Sequence, residues 1–320
     1  MIKELFKKDK ESGKGLLAIE WVVLAYIALT FCIMLFTYTK LENPQAMLWG
    51  RFRALIILFA LWGIYRAIPC RLTLFARVAV QLMMLALWYP DTYELNRMFT
   101  NQDHIFAEWD QMLFGCQPAL IFAKTFHWAA ISELMDMGYF SYYPMIGVVI
   151  LYYFIFKYED FSKAAFVILA SFFIYYVIYI FLPVVGPTYY YNAVGLPDIA
   201  KGVFPPMENY FNTHSECLVS PGYQDGFFYH LVEDAKASGE RPTAAFPSSH
   251  VGISTICILL VWHARNKKLL YFLLPFYIFL CLATVYIQAH YLVDAIAGFF
   301  SALVLYFSLM FMAGRIKLNG

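Results

Sequence analysis

The sequence predicts an all-α, polytopic membrane helix bundle of about eight transmembrane helices. Three observations predict it. Hydrophobic residues make up 62% of the 320 residues and charged residues 14%, where a soluble domain carries roughly 25% charge. So few charges cannot build a water-facing surface, which leaves lipid as the solvent. Eight apolar runs approach the roughly 20 residues that a span requires, and basic residues collect on alternate connections between them.

The elements follow in order. A basic head with Lys3, Lys7, Lys8, Lys10 and Lys14 precedes the first run, 20–38. No small-residue cleavage site follows it, so a retained anchor is expected. Glu20, at the inner edge of that run, reads as interfacial. The next runs are 53–69 and 72–90, separated by the short break Ile68-Pro69-Cys70-Arg71, then 138–157, 163–184, 248–264, 269–289 and 291–313. With the N-terminus in the cytoplasm, the head, Arg66, Arg71, Arg77, Lys157, Lys163, Arg265, Lys267, Lys268, Arg315 and Lys317 all lie inside. These are fifteen of the 23 Lys and Arg, on short segments, as the positive-inside rule requires. An even span count returns the C-terminus to the cytoplasm.

The expected organisation is a head with two extra spans over 1–70 and a six-helix core over 71–314. Two outer stretches interrupt the core. Residues 91–137, with Asp91, Glu94, Asp103, Glu108, Trp109 and Asp110, read as short interfacial helices forming an acidic, aromatic shelf. Residues 185–246 read as a long polar loop. Net charge is +1, so no global field points to nucleic acid. Cys32, Cys70, Cys257 and Cys281 lie in or beside apolar runs and read as packing residues. Cys116 and Cys217 lie in the two outer stretches, which leaves a disulfide between them open.

Ionisable residues at span ends carry the chemistry, because they are costly near hydrocarbon. One cluster is Phe246-Pro247-Ser248-Ser249-His250; the other is His290-Tyr291-Leu292-Val293-Asp294. Span parity puts both on the outer face. On a helix, His290 and Asp294 at i and i+4 share a face. Asp294 is then expected to accept the proton-bearing ring nitrogen of His290, leaving the other nitrogen as a nucleophile. His250 is expected in the first turn of a helix, capped by Ser248 or Ser249, whose free N–H groups would hold phosphoryl oxygens. His250 would protonate the departing alkoxide, and Arg241 is the nearest upstream cation for the remaining oxygens.

Taken singly, each residue has a plainer account. His290 could be interfacial, Asp294 a helix cap and Arg241 a solvated loop charge. Their order and common side favour the chemistry. His214 and His230 read as solvent-facing, and His104, His127 and His263 carry no signal. Three rivals stay open. A metal-dependent hydrolase would use His250, His290 and Asp294 as ligands. A serine hydrolase would use Ser249 with His250, although adjacent helical residues do not face each other. A lipid transporter would want charges mid-span, which the runs lack.

At these residues the sequence resembles the type 2 phosphatidic acid phosphatase superfamily. Pro247-Ser248-Ser249-His250 is similar to its Pro-Ser-Gly-His block, with Ser249 in place of Gly. His290 and Asp294 match the His-x3-Asp end of its third block. The resemblance implies a phosphohistidine at His290, with Asp294 as its partner, His250 as the acid, and no metal or cofactor. The Ser-Arg positions of the third block are Ala283 and Thr284 here. The Lys-x6-Arg-Pro block is absent, and Asp234 stands seven residues before Arg241.

In these departures the chain resembles the inositol-phosphorylceramide synthase branch. The Pro-rich aromatic run Leu182-Pro183-Val184-Val185-Gly186-Pro187-Thr188-Tyr189-Tyr190-Tyr191-Asn192 looks like that branch, as does Asp110-Gln111-Met112-Leu113-Phe114-Gly115-Cys116-Gln117-Pro118. The resemblance spans roughly residues 90–310. It implies a phospholipid or lipid phosphate substrate, with Tyr189 and Tyr190 as candidate lining residues, and either hydrolysis or head-group transfer. An active site on the extracytoplasmic face of a bacterial inner membrane is the expected location.

Overall fold

A computed structural model describes residues 5–8, 13–239 and 241–319; Lys3 and Lys10 of the basic head lie outside the described residues. The described chain is helical. In order the helices are α1 (Ala18–Thr37), α2 (Pro44–Ala67), α3 (Arg71–Met83), α4 (Leu85–Asn96), α5 (Asp103–Phe114), α6 (Pro118–Thr125), α7 (Ala129–Phe140), α8 (Tyr142–Phe156), α9 (Tyr158–Phe181), α10 (Pro187–Val194), α11 (Leu196–Ala200), α12 (Phe227–Gly239), α13 (Ser249–His263), α14 (Lys267–Tyr286) and α15 (Leu292–Ala313).

Six helical segments are long and apolar enough to cross a membrane: Ala18–Lys40, Pro44–Ala67, Arg71–Asn96, Tyr158–Phe181, Lys267–Tyr286 and Leu292–Ala313. The pair α7 and α8, bent by 48°, makes a seventh if counted as one span. The sixth expected span is α13, whose 15 residues extend about 22 Å at 1.5 Å per residue, short of the roughly 30 Å hydrocarbon core. The chain is thus a polytopic helical membrane protein with fewer full-length spans than the eight expected. The second span begins at Pro44 rather than 53, because Arg51 fits inside it: its guanidinium is buried against Asp91 at 2.7 Å.

The chain divides into two compact parts. The first comprises Met1–Leu95, Ile150–Ile174 and Leu305–Gly320. In it, side chains beyond residue 70 pack with the N-terminal helices. Glu20 on α1 and Arg77 on α3 form a fully buried ion pair, with the Tyr65 ring 4.9 Å from the guanidinium. Both side chains are thus shielded by protein rather than by solvent or lipid. Breaking such a pair from one side leaves an uncompensated buried charge. Tyr26 packs on Phe173 with centroids 4.7 Å apart and edge-on to Trp88 at 5.8 Å.

The second part comprises Asn96–Val149 and Tyr175–Val304. Here the two outer stretches fold into helices: α5 and α6 in the first, and α10, α11 and α12 in the second. Of the expected acidic, aromatic shelf, Glu108 and Trp109 are exposed, whereas Asp103 and Asp110 have no exposed area. Both point inward because backbone N–H groups of other segments need acceptors there. Neither Cys116 nor Cys217 is in a disulfide.

Candidate active site

His250 is placed by its immediate neighbours. Ser248 adopts extended backbone before α13, and its hydroxyl accepts the Val251 N–H at 3.4 Å, an N-cap. The Tyr179 hydroxyl accepts the Ser249 N–H at 3.0 Å and donates to the Pro247 carbonyl at 2.9 Å. Two of the first-turn N–H groups expected to meet phosphoryl oxygens are therefore already used, and Ser248 is 0% exposed. The imidazole of His250 lies against Tyr139, with centroids 4.7 Å apart and near-parallel planes, and against Tyr142 at 4.4 Å.

His290 is held differently. It is not on a helix; it lies between α14 and α15, after Gln288 at φ +65°. Its N–H donates to the Thr284 carbonyl at 2.9 Å. Its Nδ1 stands 2.8 Å from the Ala245 carbonyl, which accepts only, so Nδ1 carries the proton and Nε2 the lone pair. The expected i, i+4 hydrogen bond to Asp294 is absent. Asp294 Oδ2 is 3.7 Å from Nδ1 and accepts the Tyr291 N–H at 2.9 Å, so it closes the first turn of α15. It still supplies an anion beside the ring. Burial pushes the His290 imidazole down to about 4, against the Ala245 hydrogen bond, so the ring is neutral at pH 7.

The two rings meet. His290 Nε2 is 3.4 Å from His250 Nδ1, with centroids 5.6 Å apart. The segments that carry them are tied together where the Ser248 N–H donates to the Asp294 carbonyl at 3.0 Å.

Asp103 and Asp110, two turns apart on α5, fix the His290 segment from behind. Asp110 accepts the N–H groups of Leu292 and Val293, each at 2.9 Å, an anion at the N-terminus of α15. Asp103 accepts the Tyr291 hydroxyl and the Gly186 N–H at 2.9 Å, and the Val185 N–H at 2.7 Å. Burial raises both carboxyls, that of Asp110 to about 6. Gly186, at φ +90°, must be glycine, because a Cβ there would strike the Ala289 carbonyl. Next to it the Thr188 N–H donates to the Gln288 carbonyl at 2.8 Å. The Pro-Val-Val-Gly run is thus a cradle for the segment that presents His290. The signal for these acids was available: two carboxylates seven residues apart share one helix face.

Tyr189 and Tyr190 are buried in the core with Tyr191 and Tyr291, and the Tyr190 hydroxyl donates to the Pro205 carbonyl at 2.8 Å. Arg241 is exposed, and its side chain has no hydrogen-bond or ion-pair partner among the described residues. Among the described residues no three His, Cys, Asp or Glu side chains are grouped to hold a metal ion; Nδ1 of His290 is occupied by Ala245.

No curated protein and no solved structure matches the chain. A family model, that of the PAP2 superfamily, matches residues 104–308, which include Asp110 and all of α5 after Asp103, the Gly186 cradle and both histidines. The match covers more than half of the sequence and begins after the first three spans. Phosphatase- or phosphotransferase-type chemistry on lipid phosphates goes with it, and the chain belongs to the PAP2 superfamily.

Proposed function

We propose that the protein transfers a phosphoryl group from a membrane phospholipid through a phosphohistidine on His290, without a metal. The observation that carries this reading is the ring pair: a neutral His290 with Nδ1 tied to Ala245 and Nε2 turned to His250. The Nε2 lone pair attacks phosphorus and forms the N–P bond. The P–O bond to the leaving group breaks, and the alkoxide takes a proton from His250. An incoming hydroxyl then gives its proton back to His250 and takes the phosphoryl group. Water as that hydroxyl makes a phosphatase; a second lipid makes a head-group transferase.

Geometry sets one condition. Reacting atoms sit about 3–3.5 Å apart at attack, so the 3.4 Å between the nitrogens leaves no room for phosphorus. The rings part when substrate arrives, and a phosphate anion between them stabilises the protonated form of His250. Asp294, at 3.7 Å, stabilises the positive charge that His290 develops. Arg241, exposed upstream, and Ser249 are assigned to the phosphoryl oxygens; Ser248 acts on the site through its cap, and Tyr189 and Tyr190 support the lining from the core. No lysine or arginine is hydrogen-bonded to either ring among the described residues. That favours a phosphodiester, which carries about one charge fewer than a monoester. A head-group transferase of the inositol-phosphate type is the reading we prefer, with plain lipid phosphate hydrolysis as the second. The site is assigned to the extracytoplasmic face, with both termini cytoplasmic.

The test uses purified protein in detergent with labelled lipid phosphate mono- and diesters, in excess chelator, with and without ceramide or diacylglycerol. A new phospholipid supports transfer, and released phosphate supports hydrolysis. Absence of both, or undiminished turnover by His290→Ala, overturns the proposal.

A further inference from the structure

A second buried polar cluster lies in the same compact part as the histidines, where α7, α12 and the end of α14 meet. Asp136 on α7 has no exposed surface, and neither of its carboxylate oxygens has a hydrogen-bond partner. Its charged neighbours are Glu133, Lys236 and Glu233, and Tyr229 and Tyr286 also lie within its field. The neighbouring polar groups are engaged elsewhere. Glu133 accepts the N–H groups of Phe228 and Tyr229 at 3.2 and 3.3 Å, at the start of α12. Lys236 stands 3.2 Å from Glu233 and donates to the Ser220 hydroxyl. The Ser132 hydroxyl accepts the Tyr223 N–H at 2.8 Å, and the Tyr286 hydroxyl donates to the Phe126 carbonyl at 3.0 Å.

Three acids therefore face one lysine, and the unmet demand falls on Asp136. Leaving a buried carboxylate without donors is costly. A ligand that satisfies it must donate hydrogen bonds and carry positive charge, and nearby tyrosine rings favour an organic cation. Asp136 also precedes Tyr139 by three residues, so the two share a face of α7, and Tyr139 stacks on His250.

We propose that Asp136 anchors a site for a primary ammonium group, with α12 as its outer wall. Two sources share that chemistry: a free amine, and the ammonium of a lipid head group whose phosphorus lies at His290. The second source rests on the function proposed above; the first does not.

The experiment has two arms, both on the full-length protein in detergent. In the first, thermal unfolding is followed with free ethanolamine and with ethylene glycol, its uncharged analogue. Ethanolamine is expected to raise the wild-type midpoint as bound ligand does. Glycol should leave it unchanged, and the rise should vanish in Asp136→Asn and partly return in Asp136→Glu. No ethanolamine effect on the wild type, or an equal effect on Asp136→Asn, overturns the site. If Asp136→Asn does not fold, the wild-type contrast between the two compounds still decides.

In the second arm, KM for phosphatidylethanolamine is compared with KM for phosphatidic acid. The ratio should rise about tenfold or more in Asp136→Asn, the loss of one charged hydrogen bond. An unchanged ratio removes the lipid head group as the source. If no lipid phosphate ester, an inositol phospholipid included, is turned over while the ethanolamine shift remains, the proposed function fails and the ammonium site stands.

Discussion

His250 and His290 reach the same point by opposite routes. His250 sits in the first turn of a helix whose start is written into its neighbours, a serine cap two residues before it and a proline before that. His290 sits in irregular chain, and its position is imposed from afar: Ala245 is 45 residues away, and Asp110 and Asp103 hold the residues that follow it across 182 and 188 residues. A helix fixes backbone dihedrals cooperatively. A loop residue held in one conformation forfeits about 1–2 kcal/mol of backbone entropy, so a loop that must present a ring accurately needs external acceptors. Damage to the clamp should therefore reach the nucleophile, and damage to the cap should not.

The largest expected effect falls on the nucleophile itself. His290→Ala should lower turnover of labelled lipid by about 10⁴-fold or more, as removal of a covalent catalyst does, and should abolish any acid-labile phosphoenzyme. His250→Ala, in contrast, should slow release of the leaving group by about 10²–10⁴-fold, the usual worth of a general acid, while leaving Nε2 of His290 in place. A phosphoenzyme retained in the His290 variant would assign the nucleophile to the other ring and invert the comparison.

Next comes the clamp. Asp110→Ala strands the buried N–H groups of Leu292 and Val293, each worth about 1–3 kcal/mol. Stability should fall by roughly 2–4 kcal/mol, and turnover by about 10²-fold if the His290 ring moves by about 1 Å. Asp110→Asn keeps the volume and one acceptor, so it should recover part of both. Normal turnover by a folded Asp110→Ala protein would show that the loop holds its shape unaided.

This contrast also explains what was legible in the sequence. The histidine pair and the helix start at Ser248 could be read because motif and cap are local. One expected span, α13, is apolar but only 15 residues long, a shortness that hydropathy registers only weakly. Asp103 and Asp110 looked like a wet shelf because charge reads as exposure; their partners are backbone N–H groups of residues 185–186 and 292–293, invisible to any local pattern. The pairing of Glu20 with Arg77, 57 residues apart, was equally invisible. The hydrogen bond expected between His290 and Asp294 is missing for a different reason: the helix begins at Leu292, so the two residues share no helical face.

Acidity separates the two routes by a smaller amount. In the unfolded chain His290 protonates near its ordinary value of 6.5, and in the folded protein near 4. The folded state therefore binds fewer protons between these values, and the stability from the neutral ring, fully present above 6.5, is lost as pH falls toward 4. Protonation of His290 itself should lower phosphoenzyme formation about tenfold by pH 3, one unit below the folded value, separate from any change near pH 6 where Asp110 titrates. An acid limb at 6.5 instead would mean that the ring is wet and that Ala245 does not hold it.

The smallest effect tests the local route. Ser248→Ala removes one N-cap hydrogen bond, a long one at 3.4 Å, so it should cost about 0.5–1 kcal/mol in denaturant unfolding. Because the hydroxyl is fully buried and already bonded to Val251, KM for the lipid should change less than about threefold, which corresponds to well under 1 kcal/mol. A KM raised tenfold with unaltered stability would instead make Ser248 a phosphate ligand. His250 would then owe its place to the substrate as well as to its own helix, and the two segments would be more alike than their backbones are.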